Sequence, residues 1–279
     1  MKIKELKKPL KLKNNGALEI FFLGTGTAFS KLYNNNIIII KGNISILVDF
    51  GITGPRALGE IAGLTYKDIN TLLPTHSHAD HIGGIENLAL YHRYVQNGTN
   101  SRLKVIINEE YQKVLWERSL RGGMEWNESN YKGTKLTFED YFEAVRPDIK
   151  TKNGEKNYSI DYNGIKLEFV PTNHIPDNAK TVKQAFISFG LFIDDRILFT
   201  GDTKFDPEII NKFSKKAEVI FHDCSFTDNP VHTPLSKLRT LPDELKKRIY
   251  LMHYEDNWKD IDVKDFAGLA QAGVRYIFD

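Results

Sequence analysis

Six consecutive residues, His76-Ser77-His78-Ala79-Asp80-His81, carry four strong metal-binding side chains directly behind the apolar run Ile69-Asn70-Thr71-Leu72-Leu73-Pro74. Neither the helical nor the strand period generates such density. Imidazole nitrogen and carboxylate oxygen are the donors that zinc and its first-row neighbours prefer. A strand that ends in this segment reads as the floor of a metal site, and it predicts further ligands elsewhere in the chain.

The pattern around it is strands first and helices later, twice over. Leu18–Leu23 is a short apolar run, and Ile37–Ile40 and Ile44–Val48 flank Lys41-Gly42-Asn43 as a hairpin. A short helix over Pro55–Ile61, a buried strand over Ile69–Leu73 and a helix over Ile82–Val95 follow, the last with Ile85, Leu88, Tyr91, His92 and Val95 on one face. Leu103–Ile107 reads as a strand and Tyr111–Leu120 as a helix. The glycine-punctuated stretch Arg121–Lys135, with Trp126 and Tyr131, breaks the period and reads as a lid or an intersubunit loop.

In the second half, Tyr158–Asp161 and Ile165–Val170 flank an Asn163-Gly164 turn, and Gln184–Ile193 and Arg196–Phe199 flank Asp194-Asp195. Pro207–Phe213 and Pro242–Ile249 read as helices, and Glu218–Phe221 and Tyr250–Met252 as strands. The expected architecture is α+β, two sheets packed together with helices outside. Residues 1–279 are read as one domain, with residues 1–16 as a basic arm carrying Lys2, Lys4, Lys7, Lys8, Lys11 and Lys13.

Composition narrows the partners. A formal net charge of +2 demands neither nucleic acid nor an anionic membrane. A single cysteine, Cys224, leaves no internal disulfide framework and fits a reducing compartment. No run is long and apolar enough to span a bilayer, so a cytoplasmic protein without membrane contact is expected.

Polar residues just behind short apolar strands are the natural further ligands. His174 follows Leu167–Asn173, Asp202 follows Ile197–Gly201, and His253 follows Ile249–Met252. In this order, together with the Asp49-Phe50-Gly51 turn and the Gly201-Asp202-Thr203 step, the chain resembles the metallo-β-lactamase superfamily. The resemblance spans nearly its whole length and implies an αββα sandwich (two mixed sheets face to face) with the site on one sheet edge. It also implies a ligand set: His76, His78 and His174 for one divalent ion, Asp80, His81 and His253 for a second, with Asp202 bridging both. Redox-active diiron relatives usually carry Glu where this chain has His78, so the resemblance favours zinc, with manganese or iron as alternatives.

Between Asp202 and His253, Phe221-His222-Asp223-Cys224-Ser225-Phe226 and His232-Thr233 look like the paired histidine motifs of the ribonuclease Z branch. Carried across, His232 is the general acid and Asp223 its orienting carboxylate, while Asp80 holds the attacking water. His222 either supports that pair or caps a strand. Tyr254 and the Gly24-Thr25-Gly26 turn are further candidates for substrate contact, and Cys224 is read as a small buried residue.

One departure bears on the substrate. Bacterial ribonuclease Z enzymes insert a flexible tRNA-gripping arm between the lone His and the bridging Asp, and here residues 175–201 hold little beyond one hairpin. The resemblance then points to the arm-less phosphodiesterases of this branch, phage anti-Pycsar nucleases among them. The expected activity is hydrolysis of a small phosphodiester, a cyclic nucleotide foremost, by a water activated between two metals. RNA endonuclease action, thioester or lactone hydrolysis and a non-catalytic metal-stabilised scaffold are the alternatives. By analogy alone a homodimer is expected.

Overall fold

The computed structural model describes residues 1–7, 9–96, 102–128, 133–152 and 155–279, so Lys8 and Tyr131 lie outside the described residues. Among the described residues, two eight-stranded sheets carry the fold. The first contains β1 (Lys2–Glu5), β2 (Leu18–Phe22), β3 (Ile37–Lys41), β4 (Ile44–Val48), β5 (Thr71–Leu73), β6 (Leu103–Ile106), β7 (Phe142–Val145) and β16 (Val274–Phe278). Its order is β1-β16-β2-β3-β4-β5-β6-β7. The second contains β8 (Asp148–Lys152), β9 (Glu155–Tyr162), β10 (Ile165–Pro171), β11 (Phe189–Ile193), β12 (Ile197–Phe199), β13 (Val219–Asp223), β14 (Ile249–Met252) and β15 (Gly268–Leu269). These run β15-β14-β13-β12-β11-β10-β9-β8.

The sheets meet through their apolar faces. Phe22 of the first and Phe221 of the second have ring centroids 5.0 Å apart, and Tyr276 lies 5.1 Å from Phe221. Strand alternation sorts side chains between layers. Along β13, Val219 and Phe221 point into the intersheet core, while Ile220 joins a second cluster with Leu198, Ile210 and Phe213. That cluster is covered by the helix Pro207–Ser214, whose start is capped by Asp206. Strands covered on both faces read as continuous apolar runs, which is why they were legible.

Left-handed residues make the hairpin turns. Asn163 and Gly164 (φ 53° and 92°) join β9 to β10, and Asp194 and Asp195 (φ 51° and 57°) join β11 to β12. Several expectations need correction. The helix expected over Ile82–Val95 is two, Ala79–Ile82 and Ile85–Tyr94, with Gly83-Gly84 between them. A Cβ at Gly84 would sit 2.8 Å from the Gly51 carbonyl, so that junction is a close backbone approach.

Helical structure continues beyond Leu120 to Met124, whose carbonyl accepts from the buried Tyr141 hydroxyl at 2.8 Å, so the irregular stretch begins later than Arg121. The strand expected from Gln184 starts only at Phe189, and the helix expected over Pro242–Ile249 shrinks to Asp243–Lys246. Strands β7 and β8 escaped the sequence reading. The basic segment is not a free arm throughout: Lys2–Glu5 pairs antiparallel with β16, and Lys2 meets Asp279 at 2.6 Å. Among the described residues no helix is long and apolar enough to cross a membrane.

Candidate metal centre

Strand direction explains why remote residues meet. β4 and β5 are parallel, as are β12, β13 and β14, and β10 runs with β12 because β11 is antiparallel to both. Their C-terminal ends deliver the His76–His81 segment, His174, Asp202, Asp223 and His253 to one edge of the sandwich. The chain turns there through left-handed conformations at Asp49 (φ 60°), Gly201 (φ 58°) and His253 (φ 57°). For Asp and His this backbone costs about 1–3 kcal/mol and persists where packing enforces it. At Gly201 a Cβ would stand 2.6 Å from the Phe189 carbonyl, so only glycine serves.

Asp202 is the centre of the group. Its Oδ2 lies 3.2 Å from His81 Nε2, 3.4 Å from His253 Nε2, and 3.8 Å from the Nε2 atoms of both His76 and His174. Asp80 Oδ2 is 3.2 Å from His253 Nε2 and 3.4 Å from His81 Nε2. His78 Nδ1 and His174 Nε2 face each other at 3.1 Å. Two sets of ligand atoms therefore converge within 4.8 Å, His76 with His78, His174 and Asp202, and Asp80 with His81, Asp202 and His253.

Hydrogen bonds behind the cluster fix which nitrogen faces it. Asp49, fully buried, accepts from His81 Nδ1 at 2.8 Å, from Thr75 N at 2.7 Å and from the Thr75 hydroxyl at 2.8 Å. With its proton given to Asp49, Thr75 Oγ1 accepts from His76 Nδ1 at 3.1 Å. His174 Nδ1 donates to the Val231 carbonyl at 2.7 Å. All three rings are thereby held with Nε2 turned inward.

Several atoms of the cluster have nothing to bond. His76 Nε2, His81 Nε2 and both Asp202 oxygens are buried without a hydrogen-bond partner. A ring nitrogen can face a carboxylate across 3–4 Å only with a proton or a metal cation between them, and an unpaired buried charge is costly. The carboxylates are ionised: burial works to raise Asp202 and Asp80, but the imidazoles of His253 and His81 hold both well below the usual range. Nitrogen and oxygen donors in two sets sharing Asp202 fit a pair of divalent ions.

Beside this lies a third group, Asp223 with His232 and His253. His232 Nδ1 meets Asp223 Oδ2 at 2.9 Å, and His253 Nδ1 stands 3.6 Å from Asp223 Oδ1. Burial works to lower His232, yet the Asp223 carboxylate outweighs it and raises the imidazole above its ordinary value. Burial works equally to raise Asp223, but His232 holds it down at about 2. The shorter Asp side chain reaches its histidine.

The structure thus brings together His76, His78, Asp80, His81, His174, Asp202 and His253, with His232 and Asp223 alongside. Other candidates fall elsewhere. His222 donates from Nδ1 to the Asp223 carbonyl at 2.7 Å and so caps its strand. Tyr254 is buried, its hydroxyl donating to the Ala270 carbonyl and accepting from Thr25, which leaves nothing for a substrate. Gly24 and Gly26 give their N–H groups to the Asn36 and Tyr33 carbonyls rather than to a phosphate.

Trp126 is exposed and carries the Lys135 ammonium 4.3 Å from its ring centroid. His92 is a core histidine donating to the Ile69 carbonyl. Cys224 is buried, and burial keeps its thiol neutral. The sequence reading overlooked Asp49 and Thr75 as supports of the cluster. The signal was present: an acidic residue ending an apolar strand before Gly51 and a threonine adjoining His76.

Comparison with known proteins identifies relatives of this chain. Residues 18–276 match the family model described as anti-Pycsar protein Apyc1. The chain is 33% identical over 242 residues to the anti-Pycsar protein Apyc1 of Paenibacillus harenae, covering 86% of this chain and 90% of that protein. It is 32% identical over 253 residues to the protein of that name from Bacillus phage BSP38, with 88% and 92% covered. Among solved structures it resembles the metallo-β-lactamase fold protein YhfI of Bacillus subtilis (TM-score 0.64, 16% identity, 94% and 99% covered). The short form of human tRNase Z is similar as well (TM-score 0.63, 17% identity, 94% and 99% covered). At such identities the solved structures speak for the fold, which is the αββα sandwich of that superfamily.

Proposed function

This chain belongs to the anti-Pycsar Apyc1 family, and on that basis we propose that it is a metal-dependent phosphodiesterase that hydrolyses a cyclic nucleotide. The observation carrying the reading is the shared Asp202 carboxylate, buried with both oxygens unbonded amid inward-facing imidazoles. His76, His78, His174 and Asp202 would hold one divalent ion, and Asp80, His81, His253 and Asp202 the second. When bound, such a pair supplies a water of lowered pKa and the positive charge that a phosphoryl group needs as it is attacked. His78, a nitrogen donor, favours zinc over harder ions, with manganese and iron as the other choices.

The chain's own groups do the rest. Asp80, ionised and close to Asp202, accepts a hydrogen bond from the attacking water and aims it. His232 uses Nδ1 to bond Asp223, which leaves Nε2–H to protonate the leaving oxygen as the phosphorus–oxygen bond breaks. Asp223 fixes the ring and supports its charge between turnovers. Between His174 and Asp202 the chain forms a short turn over Val182–Gln184 and the β11–β12 hairpin. Nothing in that interval has the size of an RNA-gripping arm, which favours a small diester.

The test is a turnover panel on metal-analysed protein with 3′,5′- and 2′,3′-cyclic nucleotides, an aryl phosphodiester and precursor tRNA. Turnover of cyclic nucleotides with shallow salt dependence is expected. Efficient precursor cleavage that weakens steeply with salt would replace this substrate class by RNA and leave the metal cluster in place.

A further inference from the structure

We propose that Phe29 is the nucleobase-stacking residue of this enzyme, the aromatic wall of a chamber that receives the nucleoside half of the substrate. The proposal rests on the cyclic nucleotide reading above and deepens it. A cavity of about 340 Å³ opens beside the cluster, lined by His232 and His253 together with Phe29. That volume suits one nucleotide-sized molecule. Phe29 is 99% exposed, the most exposed of the large apolar side chains among the described residues.

The phenyl ring is bare, but the loop beneath it is fixed. Tyr254 N donates to the Thr25 carbonyl at 3.1 Å, and Thr27 N to the Tyr254 carbonyl at 3.4 Å. Asp256 Oδ1 accepts from the Ser30 hydroxyl at 2.5 Å and from Lys31 N at 2.8 Å. Phe29 is therefore tied to the segment that carries His253, and its place relative to the cluster is set before substrate arrives.

Charge decides which half of a nucleotide the chamber admits. Among the described residues no Lys or Arg lines it, and beside the two histidines next to the cluster its charged groups are Glu255 and Asp256. A phosphate is repelled there and belongs over the cluster, whereas a neutral flat ring is not. Glu255 is already engaged by the Ser225 hydroxyl (2.6 Å) and Phe226 N (3.0 Å), so it shapes the wall rather than binding a cation. Asn229 accepts from Val231 N at 3.0 Å and His232 N at 3.1 Å through Oδ1. That network assigns its oxygen and leaves its amide NH₂ as a donor for the edge of a ring.

The experiment measures kcat and KM for a 3′,5′-cyclic nucleotide and for a base-free cyclic alkyl phosphodiester, in the wild type, Phe29→Ala and Phe29→Trp. Stacking on an aromatic residue makes Phe29→Ala raise KM for the cyclic nucleotide about tenfold, with kcat within about twofold. The preference for nucleotide over base-free diester falls by the same factor, and Phe29→Trp restores it. Equal losses on both substrates, or an unchanged preference, overturn the proposal. So does a change of oligomeric state in Phe29→Ala with the preference intact, since Phe29 would then serve contact with a second copy. If the wild type hydrolyses the base-free diester and no cyclic nucleotide, the substrate reading fails separately. The Phe29 seat is then judged by nucleoside 5′-monophosphate binding, which Phe29→Ala must weaken about tenfold.

Discussion

Asp49 accepts the Nδ1–H of His81 at 2.8 Å, and through Thr75 it orders His76 as well. One carboxylate outside the cluster thus sets the tautomers of two rings inside it. Asp49→Asn keeps the size of the side chain and tolerates φ near 60°, but it replaces one accepting oxygen by an NH₂ that faces the donors of His81 or Thr75. Loss of such an outer partner typically weakens metal affinity 10–100-fold. Competition with a fluorescent zinc chelator reads this directly, and unchanged affinity would remove Asp49 from the role assigned to it.

Asp202→Ala takes away the one carboxylate shared by both ligand sets. Metal retention and turnover are expected to fall together. Metal content per chain after dialysis, measured beside activity, checks this. A variant that keeps two ions per chain contradicts a bridging Asp202.

His232→Ala leaves the atoms around Asp202 Oδ2 in place while deleting the proposed proton donor, whose Nδ1 is 3.9 Å from that oxygen. Turnover of a substrate with a poor leaving group should slow by roughly 10²–10⁴ with metal content preserved. An aryl diester, whose leaving oxygen needs little protonation, should suffer far less. Loss of metal from this variant would instead make His232 a ligand.

Gly51→Ala probes the close approach of two site segments. An added Cβ would stand 1.9 Å from the Asp80 carbonyl oxygen, a backbone atom that cannot yield without moving the metal-binding segment. Overpacking of this kind costs about 1–3 kcal/mol, a fall of several degrees in the unfolding midpoint, and metal affinity should fall with it. Thermal unfolding with and without zinc measures both, and a fully stable variant with normal affinity excludes the contact.

The sandwich and the members of the cluster were legible for the same physical reason. Strands buried on both faces must be continuously apolar, so Ile37–Ile40 and Ile197–Phe199 announce themselves, and a polar residue behind such a run stands out. Exposed or short elements send no such signal. Strand β8 is polar at every position but Ile149, and β7 has only four positions, so neither shows in the pattern.

By itself the sequence determined which side chains could serve as ligands, because residue type fixes donor chemistry and the apolar runs fix where strands end. Tertiary structure alone decided how those atoms are aimed. That Asp49 orients His81, that Asp223 reaches His232 despite its shorter side chain, and that Tyr254 is consumed by Ala270 and Thr25 all depend on contacts between residues far apart in the chain. Hydrogen bonds reward angstrom-scale placement, and no local pattern of residues encodes distances across two packed sheets.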